Sequence, residues 1–338
     1  MRIKFKIFLN CVFIFAFSSY LFYVILRHQT TFNYFSIIDL FQNSSNQPEL
    51  KNVSNLPRVF CILLTSEKNL NTKAKSIYEI WANQCDNFKF ISLIPDELLT
   101  HNSSNNTSNS TYLQLDKNYV NSWLQPPGLK EDTYDKLTTK VYLAYKHIYQ
   151  LYPDYDWYLK SDDDTFIFVD NLKKFLNDKK PLSPVTYGYD FKVIVDGGYH
   201  SGGGGYLLSN EAFRRIGSKL NEDFTFCPNS GTEDVDVAKC LRKLDVYLNK
   251  SIDEQGRERF HPLNIDGHYY GHFPDWMFSY AANPLKKGVE CCSDSSISFH
   301  YMTIEEMTRA KNVLNNYKND QALTFKKFLE NYYNRSID

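Results

Sequence analysis

The chain has no block of basic residues: 38 Lys and Arg face 39 Asp and Glu, for a net charge of −1 over 338 residues. That balance argues against a nucleic-acid partner, which needs a concentrated positive face. No Gly-Lys-Ser/Thr follows the glycine run at 202–205, and no GxGxxG register fits it, so the usual signatures of ATP and dinucleotide sites are missing. Cysteine is sparse, with seven in all, and no CxxC pair or His-rich spacing accompanies them, which leaves structural zinc without its ligand pattern. No internal repeat is present.

What the sequence does contain begins with a near-continuous apolar run, Ile7 to Leu26, of the length a helix needs to cross a bilayer. Arg2, Lys4 and Lys6 precede it and only Arg27 and His28 follow closely, which holds the amino terminus in the cytosol and the rest in the lumen. No small-residue cleavage site follows Leu26, so the run reads as an uncleaved anchor rather than a secretory signal. The expected organisation is a tail at 1–6, a transmembrane signal-anchor at 7–26, a polar Asn/Ser/Gln-rich stem at 27–56, and one α/β domain at 57–338.

Two features agree with a lumenal body. Asn43, Asn52, Asn102, Asn105, Asn106, Asn109, Asn249 and Asn334 each stand two residues before Ser or Thr, the acceptor pattern for N-glycosylation. Beyond Cys11, the even set Cys61, Cys85, Cys227, Cys240, Cys291 and Cys292 would pair in an oxidising compartment. The low-complexity stretch His101 to Thr111 reads as an exposed loop.

Periodicity predicts alternating strands and helices: a buried strand over Val59 to Leu64, a helix over Asn69 to Ala82, a strand over Phe88 to Ile94, and an amphipathic helix over Lys136 to Tyr152. A strand then runs into Asp162-Asp163-Asp164, and a helix follows over Asp170 to Leu176 with Asp170 as its cap. The abundant Phe and Tyr read as core.

The strand running into three carboxylates is the strongest chemical signal. Alternate residues of an extended chain share a face, so Asp162 and Asp164 can address one hard cation, Mg²⁺ or Mn²⁺, while Asp163 turns away. By itself such a triplet reads more readily as an acidic turn between two strands, and it is the context that reverses this. In an open α/β sheet, however, the carboxyl ends of strands are where ligands bind. The run Gly202 to Gly205 permits close backbone approach, and Ser209 can cap a helix beginning near Asn210. Glu233 and Asp234 stand at a helix start, where they either meet the helix dipole or supply a general base. Near the end, Cys291 to Tyr301 reads as an alternating strand presenting His300, a candidate further metal ligand.

Taken in order, Trp157-to-Thr165, the Ser201-to-Ser209 glycine run, Glu233-Asp234-Val235, Cys291-Cys292-Ser293-Asp294 and Ser298-Phe299-His300-Tyr301 resemble the core 1 β1,3-galactosyltransferases, or T-synthases. Arg58 to Cys61, Lys73-Ala74-Lys75, Trp81-Ala82 and Cys85 extend the likeness, which covers about residues 57 to 302. Single motifs are shared with β1,3-glycosyltransferases and fringe-like enzymes more widely.

The resemblance implies a GT-A fold and inverting, Mn²⁺-dependent transfer of galactose from UDP-galactose to the 3-hydroxyl of N-acetylgalactosamine O-linked to glycoproteins. It implies Asp162, Asp164 and His300 as metal ligands and Asp234 as catalytic base, with Glu233 the rival. It implies Thr65, Asp162, Asp163, Gly203 and Gly204 on the donor side, Thr65 in the first strand-to-helix turn. It further implies a Golgi type II membrane protein, with a homodimer as an option. Pairing Cys61 with Cys85 and Cys227 with Cys240 leaves a vicinal Cys291–Cys292 pair, one of fifteen connectivities. The segment Phe273 to Asn283 departs from the family pattern, and the Asn-rich loop is unusual. A β1,3-glycosyltransferase of different donor or acceptor specificity, or a non-catalytic chaperone-like relative, is therefore the alternative.

Overall fold

Strand β1 (Val59–Leu64) is buried along its whole length, as a strand covered on both faces must be. Its alternation divides the interior. Val59, Cys61 and Leu63 join Trp157 and Leu159 in one apolar layer, while Phe60, Ile62 and Leu64 join Tyr158 in the other. Burial of such side chains contributes roughly 1.5–3 kcal/mol each, and here it fixes register as well, because a slip by one residue would exchange the two layers. The computed structural model describes residues 56–94, 116–317 and 323–337. The expected anchor at 7–26, the stem to residue 55, the loop His101 to Thr111 and the sequons Asn43, Asn52, Asn102, Asn105, Asn106 and Asn109 lie outside the described residues.

Among the described residues a seven-stranded mixed sheet carries the fold, so the α/β expectation holds. β1 pairs in parallel with β2 (Asn87–Ile91) and β4 (Trp157–Asp162), and β2 with the short β3 (Trp123–Leu124). β9 (Tyr206–Ser209) runs antiparallel to β4 and to β6 (Val185–Gly188), and β10 (Tyr247–Leu248) closes the edge. A small sheet joins β5 (Phe166–Ile167), β11 (Phe260–His261) and β12 (Ser298–Phe299), and a hairpin joins β7 (Asp190–Phe191) to β8 (Tyr199–His200). Leu64 pairs with Asp162, so Thr65 and the acidic triplet leave the sheet side by side at its carboxyl end.

Four expected elements differ, the first being the strand expected over Phe88 to Ile94, which as β2 ends at Ile91. In place of one helix over Asn69 to Ala82 there are α1 (Lys73–Ile80) and flanking 3-10 turns at Glu67–Asn69 and Ala82–Gln84, because Leu70 and Thr72 donate to carbonyls three residues back. The helix α3 (Val169–Leu176) starts after Phe168, so Asp170 is not its cap but lies in its first turn, where a carboxylate suits the dipole. The strand expected over Cys291 to Tyr301 shrinks to Ser298–Phe299. His300 N–H turns to the His261 and Leu263 carbonyls, and Tyr301 takes a left-handed φ of 53°.

The long helix α2 (Leu137–Leu151) appears as expected, and Ser209 caps α4 (Asn210–Glu222) by accepting from Ala212 N–H at 3.1 Å. Glu233 opens α5 (Glu233–Lys243). The six cysteines form Cys61–Cys85, Cys227–Cys240 and the vicinal Cys291–Cys292, the connectivity weighed above.

Candidate active site

β4 ends at Asp162, and the next two residues turn. The strand parity expected of the triplet therefore does not extend to Asp164, yet the predicted separation appears. Asp163 is buried and points back toward β1, accepting from Thr65 Oγ1 at 2.6 Å and Asn69 Nδ2 at 2.8 Å. Asp164 meets His300 instead. His300 Nε2 lies 3.1 Å from its Oδ1 and 4.0 Å from Asp162 Oδ2, and one ligand atom from each of the three residues falls within 4.8 Å of the others. Burial pushes the Asp164 carboxyl up, but His300 and Lys73, whose Nζ is 3.2 Å from Oδ2, outweigh it and hold the group at about 2.

The glycine run is shaped by what lies over it. A Cβ on Gly203 would sit 2.0 Å from His300 Cε1, so only glycine lets the imidazole rest there. On Gly202 it would come within 2.9 Å of Glu233 Oε2. Gly204 is different: its nearest neighbours would be at 3.5 Å, and its carbonyl accepts from Ser298 Oγ. The amides of this run largely have partners in the protein already. Gly202 N–H donates to Asp234 Oδ2 at 3.1 Å, Gly204 N–H to Ser201 Oγ and Gly205 N–H to the Gly202 carbonyl.

Glu233 and Asp234 have unlike surroundings. Glu233 is buried; its Oε1 accepts from Tyr206 OH at 2.6 Å and its Oε2 lies 3.3 Å from Lys160 Nζ. Asp234 is half-buried, with one oxygen on Gly202 N–H and the other on Val235 N–H. Burial raises both carboxyls above their ordinary range, Glu233 despite the Lys160 charge and Asp234 despite those amide bonds.

Sequence reading left Lys160 without a role. It is 1% exposed, and burial alone would lower its pKa, but the neighbouring Asp162 and Glu233 charges reverse the direction and keep it protonated. The signal was present: a charged residue inside an otherwise apolar strand, on the same parity as Asp162. Tyr206, Tyr145 and Asn69, which hold Glu233 or Asp163 directly or through one bond, carried no such mark. Thr65 is buried, and its hydroxyl is donated to Asp163.

A galactosyltransferase family profile matches residues 130–195, from the segment before α2 through the acidic triplet to the loop after β7. Glycoprotein-N-acetylgalactosamine 3-beta-galactosyltransferase 1 of Xenopus laevis is 32% identical over 256 residues, 74% of this chain and 64% of that protein. Chondroitin sulfate synthase 3 of Homo sapiens is 33% identical over 132 residues, 35% of this chain and 14% of that protein. The chain thus spans less than two thirds of the length of either relative. Two solved glycosyltransferase structures, one involved in glycosylation of the PBCV-1 major capsid and the other the galactosyltransferase LgtC, overlap at TM-scores of 0.39 and 0.37 with 10% and 12% identity. They cover 76% and 82% of this chain and 99% and 97% of their own, and overlaps this loose carry no argument.

The class that the profile and the sequence relatives support is the glycosyltransferases. Within that class, the more extensive likeness is to a glycoprotein-N-acetylgalactosamine 3-beta-galactosyltransferase, matched over 74% of this chain.

Proposed function

We propose that the protein transfers galactose from UDP-galactose, with inversion, to the 3-hydroxyl of N-acetylgalactosamine O-linked to glycoproteins, on a GT-A fold. The observation that carries this reading is the convergence of Asp162, Asp164 and His300, joined to Asp234 through the contacts of Lys160 and Gly202. Two carboxylates and an imidazole fit Mn²⁺ or Mg²⁺, and the glycine floor at Gly203 leaves the imidazole room to take that position. When bound, the ion supplies Lewis-acid compensation for charge on the departing diphosphate.

The remaining work falls to the chain. Asp234, raised by burial and partly open, accepts the proton of the acceptor 3-hydroxyl as that oxygen bonds to the anomeric carbon and the bond to UDP breaks. Glu233 is the more deeply buried of the two and is ion-paired with Lys160, so it makes a poor competitor for that role. Tyr199 feels the charge of Asp234, and beyond it Phe191, the half-exposed Trp276 and Tyr280 form a ring cluster with centroids 5.3–5.7 Å apart along the chain of contacts, suited to an acceptor sugar face. The Golgi lumen, a membrane tie through residues 7–26 and pairing into a homodimer belong to the same reading; the three disulfides are consistent with the lumen.

The test is to supply the full chain with a panel of UDP-sugars and acceptors, with and without Mn²⁺, and to determine the linkage formed. Galactose in β1,3 linkage on N-acetylgalactosamine, dependent on the metal, is expected. Another sugar or linkage would reassign specificity, and absence of transfer by folded protein would favour the chaperone-like alternative. Asp164→Asn should abolish most of the metal response while circular dichroism stays unchanged.

A further inference from the structure

Lys160 touches three of the four motifs of the site: the acidic triplet, the glycine run and the helix-start carboxylates. Its Nζ donates to the Gly202 carbonyl at 3.1 Å, lies 2.8 Å from Asp162 Oδ1 as an ion pair rather than an aligned hydrogen bond, and lies 3.3 Å from Glu233 Oε2. Each contact constrains something different. At Asp162 it occupies Oδ1 and leaves Oδ2 as the oxygen on the His300 side. At Gly202 it holds the carbonyl of the residue whose N–H donates to Asp234. Glu233 in turn anchors the ammonium, and is itself fixed by Tyr206, whose hydroxyl is bonded to Tyr145 in the interior.

We propose that Lys160 and Glu233 are a positioning pair that sets the orientation of Asp162 toward a divalent ion and of Asp234 toward the acceptor. The pair acts through other groups and touches no reacting atom. A buried cation with two carboxylates and a carbonyl around it is satisfied in one geometry only, whereas an apolar side chain of similar length would fill the space and fix nothing. Glu233 therefore serves the site as the tether of Lys160, not as a second base. This inference rests on the transferase reading above.

The experiment measures Mn²⁺ affinity by electron paramagnetic resonance titration, in the full chain, alongside turnover at saturating Mn²⁺ and thermal unfolding. Lys160→Met should weaken Mn²⁺ binding by roughly 10–100-fold, the range for groups that orient metal ligands, and lower turnover further when metal is saturating. Glu233→Gln should lower affinity and turnover together, each by about 3–10-fold, on the weaker side of that range. Lys160→Arg, which keeps the charge, should recover part of both. Unchanged Mn²⁺ affinity in Lys160→Met would overturn the pair even if turnover fell. A Glu233→Gln enzyme with normal affinity and turnover reduced a hundredfold or more would make Glu233 the base instead, and it decides the matter if Lys160→Met does not fold. Wild-type protein that binds no Mn²⁺ would sink the transferase reading and this inference with it, whereas binding lost in Asp164→Asn but insensitive to Lys160 would sink the inference alone.

Discussion

Asp163–Asp164 at a strand end and Glu233–Asp234 at a helix start are both adjacent carboxylates, and in both the first is buried and the second keeps some exposure. The buried members are held differently. Asp163 has two uncharged donors, Thr65 and Asn69, with Lys73 farther off at 3.9 Å, whereas Glu233 has the Tyr206 hydroxyl and the ammonium of Lys160. Sequence proximity thus says little about shared chemistry. Depth of burial, not adjacency, separates the group that builds the site from the group left for it.

The largest expected effect tests the helix-start pair. Asp234→Asn should lower turnover by about 10²–10⁴-fold, the usual contribution of a general base, while UDP-galactose binding measured by calorimetry changes little. Glu233→Gln should be milder and should move metal affinity along with rate. A reversed ranking would dissolve the contrast, because the buried carboxylate would then be the reactive one.

At the strand end the contrast is one of stability against chemistry. Asp163→Ala removes the acceptor of two bonds and leaves a buried Thr65 hydroxyl without its partner, so unfolding in urea should show a loss of about 3 kcal/mol or more. Asp164→Asn should cost far less stability and far more metal response. If Asp163→Ala destabilises by less than about 1 kcal/mol, its bonds are not what holds the turn.

Much of this arrangement was legible because it sits at element ends, where sequence is most explicit. Apolar strands that break into carboxylates announce Asp162 and Asp164, four glycines announce a close approach, and Ser209 announces the start of α4. The bounds of α1 were not legible, since Asn69 is drawn out of helical use by Asp163, which lies far along the chain. Nor was the division of labour between Glu233 and Asp234. It depends on Lys160 and Tyr206 arriving from β4 and β9, and no local pattern records which oxygen a distant ammonium will meet.

A third buried carboxylate sharpens the comparison by lacking a close cation. Glu258 is buried with the Asn283 amide as its side-chain donor at 2.8 Å; burial pushes it up to about 7, opposed by that bond and reinforced by the charge of Asp190. An acid whose pKa is raised by folding contributes its full stability below its unfolded value near 4.5 and loses that contribution as pH rises through about 7. The window is therefore pH 4.5 to 7, and the loss across it is at most about 3 kcal/mol. Glu258→Gln keeps an oxygen for Asn283 and cannot ionise, so the variant should match the wild type near pH 4.5 and be more stable above pH 7, by on the order of 2 kcal/mol. Thermal unfolding of both proteins across that range reads the difference directly. A gap that stays constant with pH would mean that Glu258 is ionised throughout, and that a buried carboxylate here does not need the kind of cation Glu233 has in Lys160.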